Sequence, residues 1–455
     1  MTSSLNSNTT DSIRALVLCA GGGTRMKSGI PKVMHKIGGL PLIGHVLETL
    51  KMLPLSHKAC VISSQMDEVK GFVSPIECYI QSEAKGTAHA VLAAAPFFES
   101  APAGCLLVLF GDTPLITPET IKRLLNKHKA SKAALTILGM EVPSANQYGR
   151  IFLDKDGFCT RIIEAKEATE AELKNTLCNS GVMILDLSVA SSLLREVTCH
   201  NASEEYYLTD CVEIAAQKGL KTSVALASQE EVFGINTQAD LAVAEEVFQK
   251  RARLKALEQG VSLQDPASVY FSYDTSLEKG VFVEPHVYFG PNVRVEEGAR
   301  IRAFSYLEGA KIGKNSIIGP FARLRPGTEI FENVRVGNFV EIKKSVLSKD
   351  VKVNHLSYIG DAEIGASTNI GAGTITCNYD GISKHETKIG EKVFIGSNTA
   401  LIAPISIGEG AIIGAGSVIT QDVADDAIAL SRSPQKQILE GAKRFQQRAR
   451  KIRKG

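Results

Sequence analysis

An aliphatic residue recurs every six positions in the second half of the sequence. The repeat is unbroken over 389–420, where glycine follows four of its six aliphatic positions. An α-helix repeats every 3.6 residues and an amphipathic strand every two residues, so neither produces this spacing. A period of six is typical of a parallel β-helix, in which about eighteen residues complete one triangular coil of three short strands. We therefore expect the second half to form such a coil.

The six-residue period starts at Ile312 and is interrupted twice. It runs to Ile342, resumes at Ile364 and Ile370, and restarts at Ile389 after a gap of nineteen positions. Insertions in a repeat protein form loops on one face, often the binding face. We expect a site near these interruptions, where the candidate side chains are Arg325, Lys343, His355, Tyr358, Asn369, Asn378 and Tyr379.

The first half of the sequence alternates short apolar runs with helical patterns. Residues 13–19 and 105–110 are such runs, and their lack of polar alternation predicts parallel strands buried on both faces. We expect a disordered leader at 1–12, an α/β domain at 13–238 and a linker helix at 239–260. The β-helix is expected at 261–432 and a basic, solvated tail at 433–455.

The composition is that of a soluble globular protein. Of the 455 residues, 44% are hydrophobic and 22% are charged, and the formal net charge of +2 predicts no bulk attraction to nucleic acid or membrane. No apolar run is long enough to span a bilayer, and the N-terminal segment lacks the hydrophobic stretch of a signal peptide. Nine cysteines without a C-x-x-C pair indicate reduced thiols in a cytoplasmic protein.

The first apolar run leads into the glycine-rich segment LCAGGGTRMKSGIPK, residues 18–32. It is not a P-loop, because no G-K-[ST] follows, and Met26 replaces the last glycine of a dinucleotide fingerprint. Backbone N–H groups at such a strand-to-helix turn can surround phosphate oxygens, and Arg25 and Lys32 can neutralise them. An ordinary glycine-rich turn with surface charges is the alternative interpretation.

The motif G-x-G-T-R-M followed by P-K resembles the sugar-1-phosphate nucleotidyltransferases. The segments QSEAKGTAHA, FGDTPL, YGR, EAK, NSG and GINTQADL follow in that family's order. Joined to a hexapeptide-repeat half, residues from about 13 to about 435 resemble the bifunctional N-acetylglucosamine-1-phosphate uridyltransferase/glucosamine-1-phosphate N-acetyltransferases. The resemblance implies a Rossmann-like α/β nucleotidyltransferase domain followed by a left-handed parallel β-helix.

The resemblance also implies two reactions. An acetyl group passes from acetyl-CoA to glucosamine 1-phosphate, and the product then attacks the α-phosphorus of UTP and releases pyrophosphate. The resulting UDP-N-acetylglucosamine feeds peptidoglycan and lipopolysaccharide precursor synthesis. Family members use Mg²⁺ and act in the cytoplasm as homotrimers with sites between subunits. Small-molecule substrates are the expected partners, with neither nucleic acid nor membrane among them.

Motif matching assigns most site residues of the first half. Asp112 lies just past the carboxyl end of a predicted strand, where ligands of open α/β sheets gather. Two departures from the family pattern, Phe110 for tyrosine and Ser180 for threonine, leave charge and metal ligands unchanged. The implied nucleotide and sugar ligands are Leu18, Ala20, Gly21, Arg25, Lys32, Gln81, Gly86, Thr87, Phe110, Gly111, Asp112, Gly149, Glu164, Asn179 and Asn236, with Asp112 and Asn236 holding Mg²⁺.

The chemistry of acetyl transfer to an amine requires a base, and a histidine with a pKa near neutrality can serve. The resemblance assigns this role to His355. Asn398, where relatives often have aspartate, is a further departure. The implied ligands are Arg325, Lys343, Tyr358 and Asn369 for the sugar phosphate, and Ala372, Asn378, Tyr379, Ser397, Ala415 and Arg432 for acetyl-CoA.

Three alternatives remain on the residues alone. The β-helix could serve only assembly or regulation, but a structural coil has no reason to carry His355, Arg325 and Lys343 together. A regulatory protein on the same two folds would have no need of intact Arg25 and Asp112. A zinc enzyme built on the β-helix lacks any H-x₄-H pair, and its histidines are dispersed in the sequence.

Overall fold

A computed structural model of the chain describes residues 12–101, 103–142 and 147–453. The predicted leader lies outside the described residues except for Ser12, as does the end of the basic tail beyond residue 453. The chain divides into two compact units, Met1–Ala252 and Arg253–Gly455.

The first unit contains a nine-stranded sheet with the order β11-β7-β10-β6-β1-β4-β5, and β8 and β9 form a hairpin beside β10. The strands are β1 (Ser12–Leu18), β2 (Lys36–Ile37), β3 (Leu40–Pro41), β4 (His57–Ser63), β5 (Glu77–Gln81), β6 (Gly104–Phe110), β7 (Leu135–Glu141), β8 (Arg150–Leu153), β9 (Cys159–Ile163), β10 (Leu177–Asp186) and β11 (Thr222–Ala227), with β2 and β3 forming a separate pair. The helices are α1 (Leu42–Lys51), α2 (Asp67–Val73), α3 (Thr87–Ala93), α4 (Ala95–Glu99), α5 (Pro118–Ser131), α6 (Leu187–Glu196) and α7 (Asp210–Gln217). Helix α8 (Gln238–Glu258) begins in this unit and ends in the second.

The centre of this sheet is parallel, as the apolar runs predicted. Strand β1 pairs in parallel with β4 and β6, and Ala15, Leu16 and Val17 are fully buried. Hydrophobic clusters cover both faces of the sheet. Because the strands are buried on both sides, they need no polar alternation. The carboxyl ends of β1, β4 and β6 therefore meet at one edge of the sheet.

Strand β10 runs antiparallel to both β6 and β7, which the sequence did not predict. The chain leaves β7, forms the β8–β9 hairpin and re-enters the sheet as β10, and the described residues between β7 and β10 contain no α-helix. Parallel neighbours require a crossover connection, whereas antiparallel neighbours do not. This detour carries Gly149, Glu164 and Asn179 to the same region of the sheet.

The second unit is a prism of three parallel sheets. Face 1 contains Ser262–Leu263, Phe282–Val283, Arg300–Ile301, Ile317–Ile318, Arg335–Asn338, Lys352–His355, Asn369–Ile370, Phe394–Ile395, Ile412–Ile413 and Ile428–Ala429. Face 2 contains Tyr288–Phe289, Tyr306–Leu307, Arg323–Leu324, Glu341–Lys343, Tyr358–Gly360, Ile375–Cys377, Ala400–Ile402 and Val418–Ile419. Face 3 contains Ser276–Leu277, Arg294–Val295, Ala310–Ile312, Thr328–Ile330, Val346–Leu347, Ala362–Ile364, Thr387–Ile389 and Ile405–Ile407. Helix α9 (Gly441–Ile452) follows the last coil.

The inward positions of the prism are those that the six-residue period predicted. Each aliphatic residue of the period, from Ile312 to Ile419, is at most 5% exposed. The expected first interruption is not a break, because Leu347, Val353 and Ile359 continue the inward positions and are fully buried. Two steps of five residues shorten these coils to seventeen residues, and strand pairing absorbs the change.

The second interruption is a true insertion. Thr376 takes the inward position and pairs with Leu401 of the next coil. The chain then leaves the prism as a loop at 378–386, where Tyr379 and Lys384 form an isolated bridge. This loop projects from the end of face 2.

Candidate active sites

The glycine-rich segment forms an open turn after β1. A Cβ atom on Gly21 or Gly22 would meet nothing within 4 Å, so the turn is open at these two positions. At Gly23 the φ angle is 60°, and a Cβ would lie 2.7 Å from Cβ of Lys32. Only glycine allows this approach. The turn thus brings the Lys32 ammonium over the carboxyl edge of the sheet.

Four polar side chains meet at this edge. The Lys32 ammonium contacts the carboxylate of Asp112 and donates to Oδ1 of Asn236 at 3.2 Å. Arg25 donates to the same Asn236 oxygen at 2.9 Å. One carboxylate oxygen and one amide oxygen therefore converge on a single cationic nitrogen.

Backbone hydrogen bonds hold these side chains in place. The N–H of Gly111 donates to the carbonyl of Leu18 at 2.9 Å, and the N–H of Ile235 donates to the carbonyl of Asp112 at 3.0 Å. The carboxylate of Asp240 accepts from the N–H of Asn236 at 3.0 Å. Asp240 lies in the first turn of α8, so the start of that helix fixes Asn236.

Two cavities open on either side of Asp112. The first, of about 360 Å³, is lined by the glycine-rich turn, by Lys32, and by Gln81, Gly86 and Thr87, which are among the predicted nucleotide and sugar ligands. Gln81 donates to the carbonyl of Gly86 at 3.0 Å, and a Cβ on Gly86 would lie 2.5 Å from the carbonyl oxygen of Tyr206. This cavity brings together Leu18, Ala20, Gly21, Lys32, Gln81, Gly86, Thr87, Phe110 and Asp112.

The second cavity, of about 210 Å³, is lined by Gly149, Glu164 and Asn179, three more of the predicted nucleotide and sugar ligands. It shares Thr87, Phe110 and Asp112 with the first cavity. Asp112 therefore lies where the contents of the two cavities would meet.

The sequence did not identify Thr209, which lines the second cavity. Its hydroxyl donates to Oε1 of Glu164 at 2.9 Å. Burial raises the pKa of Glu164, and the hydrogen bond from Thr209 opposes that rise. No motif marks Thr209, because its role depends on a residue 45 positions away.

In the second unit, His355 stands in a column of residues at the corner between faces 1 and 2. Asn338 pairs with His355 in the strand register. The pairing of Val353 with Ile370, Ile395 and Ile413 on successive coils places Ala372, Ser397 and Ala415 above it. We call Asn338, His355, Ala372, Ser397 and Ala415 the corner column. Adjacent coils are about 4.8 Å apart, so the predicted acetyl-CoA residues rise directly from the predicted base.

The other corner of face 2 carries positive charge. Arg325 follows Leu324, which pairs with Ile342, so Arg325 stands beside Lys343 on the next coil. Tyr358 begins the face 2 strand that follows His355, so it lies between His355 and this corner. Five positions, including a corner at Leu356 with a φ of 53°, separate His355 from Gly360, which pairs with Lys343 on the coil below.

The sequence did not identify Lys384, which comes from the inserted loop. Its ammonium lies next to that of Lys343 and lowers the pKa of Lys343, and Arg325 lowers it further. The nearby carboxylates have other partners. Glu341 pairs with Arg325 at 2.8 Å, and Asp361 contacts Lys344 and the amide of Asn378. Among the described ion pairs, none joins Lys343 or Lys384 to a carboxylate, although the charge of Asp361 acts to raise the pKa of Lys343.

The remaining predicted residues have different surroundings. Asn369 lies on face 1, three positions before Ala372 of the corner column, and does not share face 2 with Arg325. Asn378 is buried, whereas Tyr379 is exposed and donates to the carbonyl of Gly381 at 2.6 Å. Arg432 donates to the carbonyl of Ala415 at 2.6 Å, which ties it to the top of the corner column.

Within the described ranges there is no cluster of three or more histidine, cysteine, aspartate or glutamate side chains that could hold a metal ion. Likewise, none of the helices described is both long and apolar enough to cross a membrane.

Comparison with known proteins matches both units. Residues 15–148 fit the model of the MobA-like NTP transferase domain, and residues 309–344 and 386–421 fit the bacterial transferase hexapeptide model. The bifunctional protein GlmU of Zymomonas mobilis is 47% identical over 442 residues, which cover 96% of this chain and 98% of that protein. GlmU of Paramagnetospirillum magneticum is 43% identical over 445 residues, which cover 97% of this chain and 99% of that protein.

The chain belongs to the bifunctional GlmU family. Both halves of the family architecture are present, so the predicted fold, an α/β nucleotidyltransferase unit followed by a left-handed β-helix, is confirmed. As a GlmU-type enzyme, the protein is a uridyltransferase and an acetyltransferase in UDP-N-acetylglucosamine synthesis. Among solved structures, the inositol-1-phosphate CTP transferase of T. maritima covers 52% of the chain with 16% identity and a TM-score of 0.42, too weak a likeness to support any argument.

Proposed function

We propose that uridylyl transfer takes place at Asp112, between the two cavities of the first unit. UTP occupies the larger cavity, with its phosphates against the glycine-rich turn, and N-acetylglucosamine 1-phosphate occupies the smaller one. The observation that carries this proposal is the shared wall of Thr87, Phe110 and Asp112. The two reactants would meet there, which is what a transfer that depends on positioning requires.

The reaction breaks the bond between the α-phosphorus of UTP and pyrophosphate. A phosphate oxygen of the sugar forms the new bond to that phosphorus, and pyrophosphate leaves with the electron pair. Arg25 and Lys32 would neutralise the charge on the triphosphate oxygens. Asn179 and Glu164 would hold the sugar so that its phosphate points to Asp112.

The residues at Asp112 suit Mg²⁺. Oxygens of Asp112 and Asn236 already converge on one cationic nitrogen, that of Lys32. A hard cation prefers this kind of oxygen pair and completes its coordination with phosphate oxygens and water. Bound there, Mg²⁺ would supply charge neutralisation to the phosphates. Lys32 would then be free to turn from Asp112 to the triphosphate.

We assign acetyl transfer to face 2 and to its corner with face 1, where His355 lies. The phosphate of glucosamine 1-phosphate would lie against Arg325, Lys343 and Lys384, with Tyr358 beside the sugar. His355 would accept a proton from the amine as nitrogen attacks the thioester carbonyl. The carbon–sulfur bond then breaks, and the coenzyme leaves as a thiol after taking up a proton.

We further propose a cytoplasmic homotrimer with acetyl-transfer sites between subunits. A prism with flat faces is well shaped for symmetric packing. The side of the acetyl-CoA site opposite the corner column would then come from a neighbouring subunit. Sedimentation that finds only monomers in a preparation with full acetyltransferase activity would rule out this arrangement.

One assay tests both activities. The protein is incubated with glucosamine 1-phosphate, acetyl-CoA, UTP and Mg²⁺, each omitted in turn, while free thiol and pyrophosphate are followed separately. We expect thiol release to require only the sugar phosphate and acetyl-CoA, and pyrophosphate release to require all four components. If a β-helix served assembly alone, thiol release would be absent, and pyrophosphate would form only from sugar that is already acetylated.

A further inference from the structure

The last helix, α9, is exposed along its length. Every side chain from Ala442 to Ile452 is exposed, and none of its residues is buried. Exposed apolar side chains at helical spacing commonly mark a surface that another molecule covers. Neither proposed reaction uses this helix, because Arg432 is the last residue assigned to acetyl-CoA.

The apolar residues of α9 fall on one side. Ala442, Phe445, Ala449 and Ile452 follow the spacing i, i+3, i+7 and i+10, which places them on one stripe of a helix. Phe445 is 75% exposed and Ile452 is 81% exposed. The stripe is therefore a continuous apolar strip open to solvent.

The rest of the helix surface is cationic. The last eighteen residues contain seven lysines or arginines and one glutamate, a net charge of +6. Because the whole chain carries only +2, the other residues together carry −4. The one carboxylate, Glu440, lies 3.6 Å from Lys443. The small net charge of the whole chain predicted no attraction to membranes, but the positive charge is concentrated in the last eighteen residues.

We propose that α9 binds the surface of a membrane rich in anionic phospholipids. A basic amphipathic helix lies in the plane of such a surface, with its apolar stripe among the acyl chains and its cations near the headgroups. Twelve residues give about 18 Å of helix, well short of the ~30 Å hydrocarbon core. Charge complementarity selects the anionic lipid. The stripe of Phe445 and Ile452 favours lipid over nucleic acid, which would contact cations alone.

The test uses the full-length protein and vesicles of defined composition. Co-sedimentation is measured with equal mixtures of phosphatidylglycerol and phosphatidylcholine, and with phosphatidylcholine alone, at 0.1 and 0.5 M salt. We expect binding to the anionic vesicles that weakens strongly at the higher salt, since surface charges are screened. Binding to the neutral vesicles should be weaker by at least an order of magnitude.

Two variants separate the apolar and the cationic contributions. Phe445→Ser with Ile452→Ser should weaken vesicle binding by about 10-fold or more, because the inserted apolar area is lost. Arg448→Gln with Lys451→Gln should weaken it by about 20-fold. The matched control is Lys70→Gln with Lys127→Gln, two exposed lysines of the first unit, which should bind like wild type.

Several results would overturn the proposal. Equal binding to neutral and anionic vesicles, or no binding to either, would do so. So would a Phe445 and Ile452 variant that binds vesicles normally but sediments as a smaller oligomer, which would make α9 a contact between copies. Tight binding to RNA that survives loss of the apolar stripe, with weak binding to vesicles, would point to a nucleic-acid site. Both enzymatic activities are measured in every variant, so loss of folding is distinguished.

Discussion

Nδ1 of His355 lies 2.7 Å from Oδ1 of Asn338, one coil below it in the corner column. The amide oxygen is an acceptor, so Nδ1 carries the hydrogen and Nε2 keeps its lone pair. Nε2 is therefore the atom that can accept a proton from the substrate amine. The imidazole side chain is exposed, which leaves it accessible to substrate.

His355→Ala should abolish release of the coenzyme thiol while leaving uridylyl transfer intact. Loss of a general base costs about 10²–10⁴-fold in rate. Thiol release and pyrophosphate release from pre-acetylated sugar are measured separately. His286→Ala, an exposed histidine elsewhere on the β-helix, is the matched control and should retain both activities. Loss of both activities in His355→Ala would indicate misfolding or one shared site.

Asn338 acts through His355, and its variants should change the pH profile of acetyl transfer. Asn338→Ala removes the group that fixes the tautomer, and we expect a loss of about 10-fold in kcat. Asn338→Asp places a carboxylate beside the imidazole and raises its pKa. Because the base must be neutral, the acidic limb of the rate profile should move to higher pH. A profile unchanged in both variants would contradict this role.

Asp112→Ala should fold normally but lose uridylyl transfer by about 10²-fold or more, because the carboxylate is proposed to hold the cation that neutralises the phosphates. Pyrophosphate release at saturating Mg²⁺ is the measurement, and thermal unfolding checks the fold. Asp67→Ala, an exposed aspartate in the first turn of α2, serves as the control. UDP-sugar formation near the wild-type rate would remove the metal assignment.

Lys384→Ala should raise KM for glucosamine 1-phosphate by about 10-fold, with a smaller effect on kcat, because a charge-assisted contact to phosphate is lost. The same change removes the positive neighbour that lowers the pKa of Lys343. Lys388→Ala is a close control, since Lys388 already pairs with Glu386 at 3.4 Å. Equal KM values for the two variants would exclude Lys384 from the phosphate site.

The ionisation of Asp210, next to Thr209 of the second cavity, should make the stability of the folded protein depend on pH. Burial and the charge of Glu164 raise the pKa of Asp210 to about 6. The folded protein therefore keeps a proton that the unfolded chain loses near pH 4, so stability falls as the pH rises from about 4 to about 6. Asp210→Asn lacks this loss, and we expect its Tm to exceed that of wild type by about 2–4 °C at pH 7.5.

The Asp210→Asn comparison is repeated at pH 4, where the two proteins should melt at similar temperatures. Asp67→Asn should show no such dependence on pH. An advantage for Asp210→Asn that is equal at both pH values would mean that helix or packing effects, and not ionisation, determine its stability.

The inward positions of the β-helix were predictable, because every side chain there meets the same requirement at each step. The five-residue steps at Leu347 and Ile364 were read as a break instead. A strict six-residue spacing fails to match the sequence after a single missing residue. In the structure, strand pairing between coils keeps Ile330, Leu347 and Ile364 aligned despite the shorter steps. The antiparallel course of β10 had no signal, since a buried apolar run carries no direction.

The candidate sites were predictable where a local motif exists. The glycine-rich turn places Lys32 and Arg25 within reach of Asn236, although more than 200 positions separate them in the chain. Lys384 and Thr209 were missed because each depends on a neighbour brought in by folding. The insertion that carries Lys384 did stand out as a loop, so part of its signal was present.

The stacking of one coil on the next fixes the distances between residues along the axis of the β-helix. His355, Ala372, Ser397 and Ala415 keep their relative heights because each coil adds one strand spacing of about 4.8 Å. Duplicating a whole coil below Arg323 would lengthen the prism and preserve those heights. The same duplication between His355 and Ala372 would move Ala372, Ser397 and Ala415 away from His355 by one coil spacing, about 4.8 Å. Backbone pairing, and not side-chain chemistry, therefore fixes the length of the proposed acetyl-CoA site along the column.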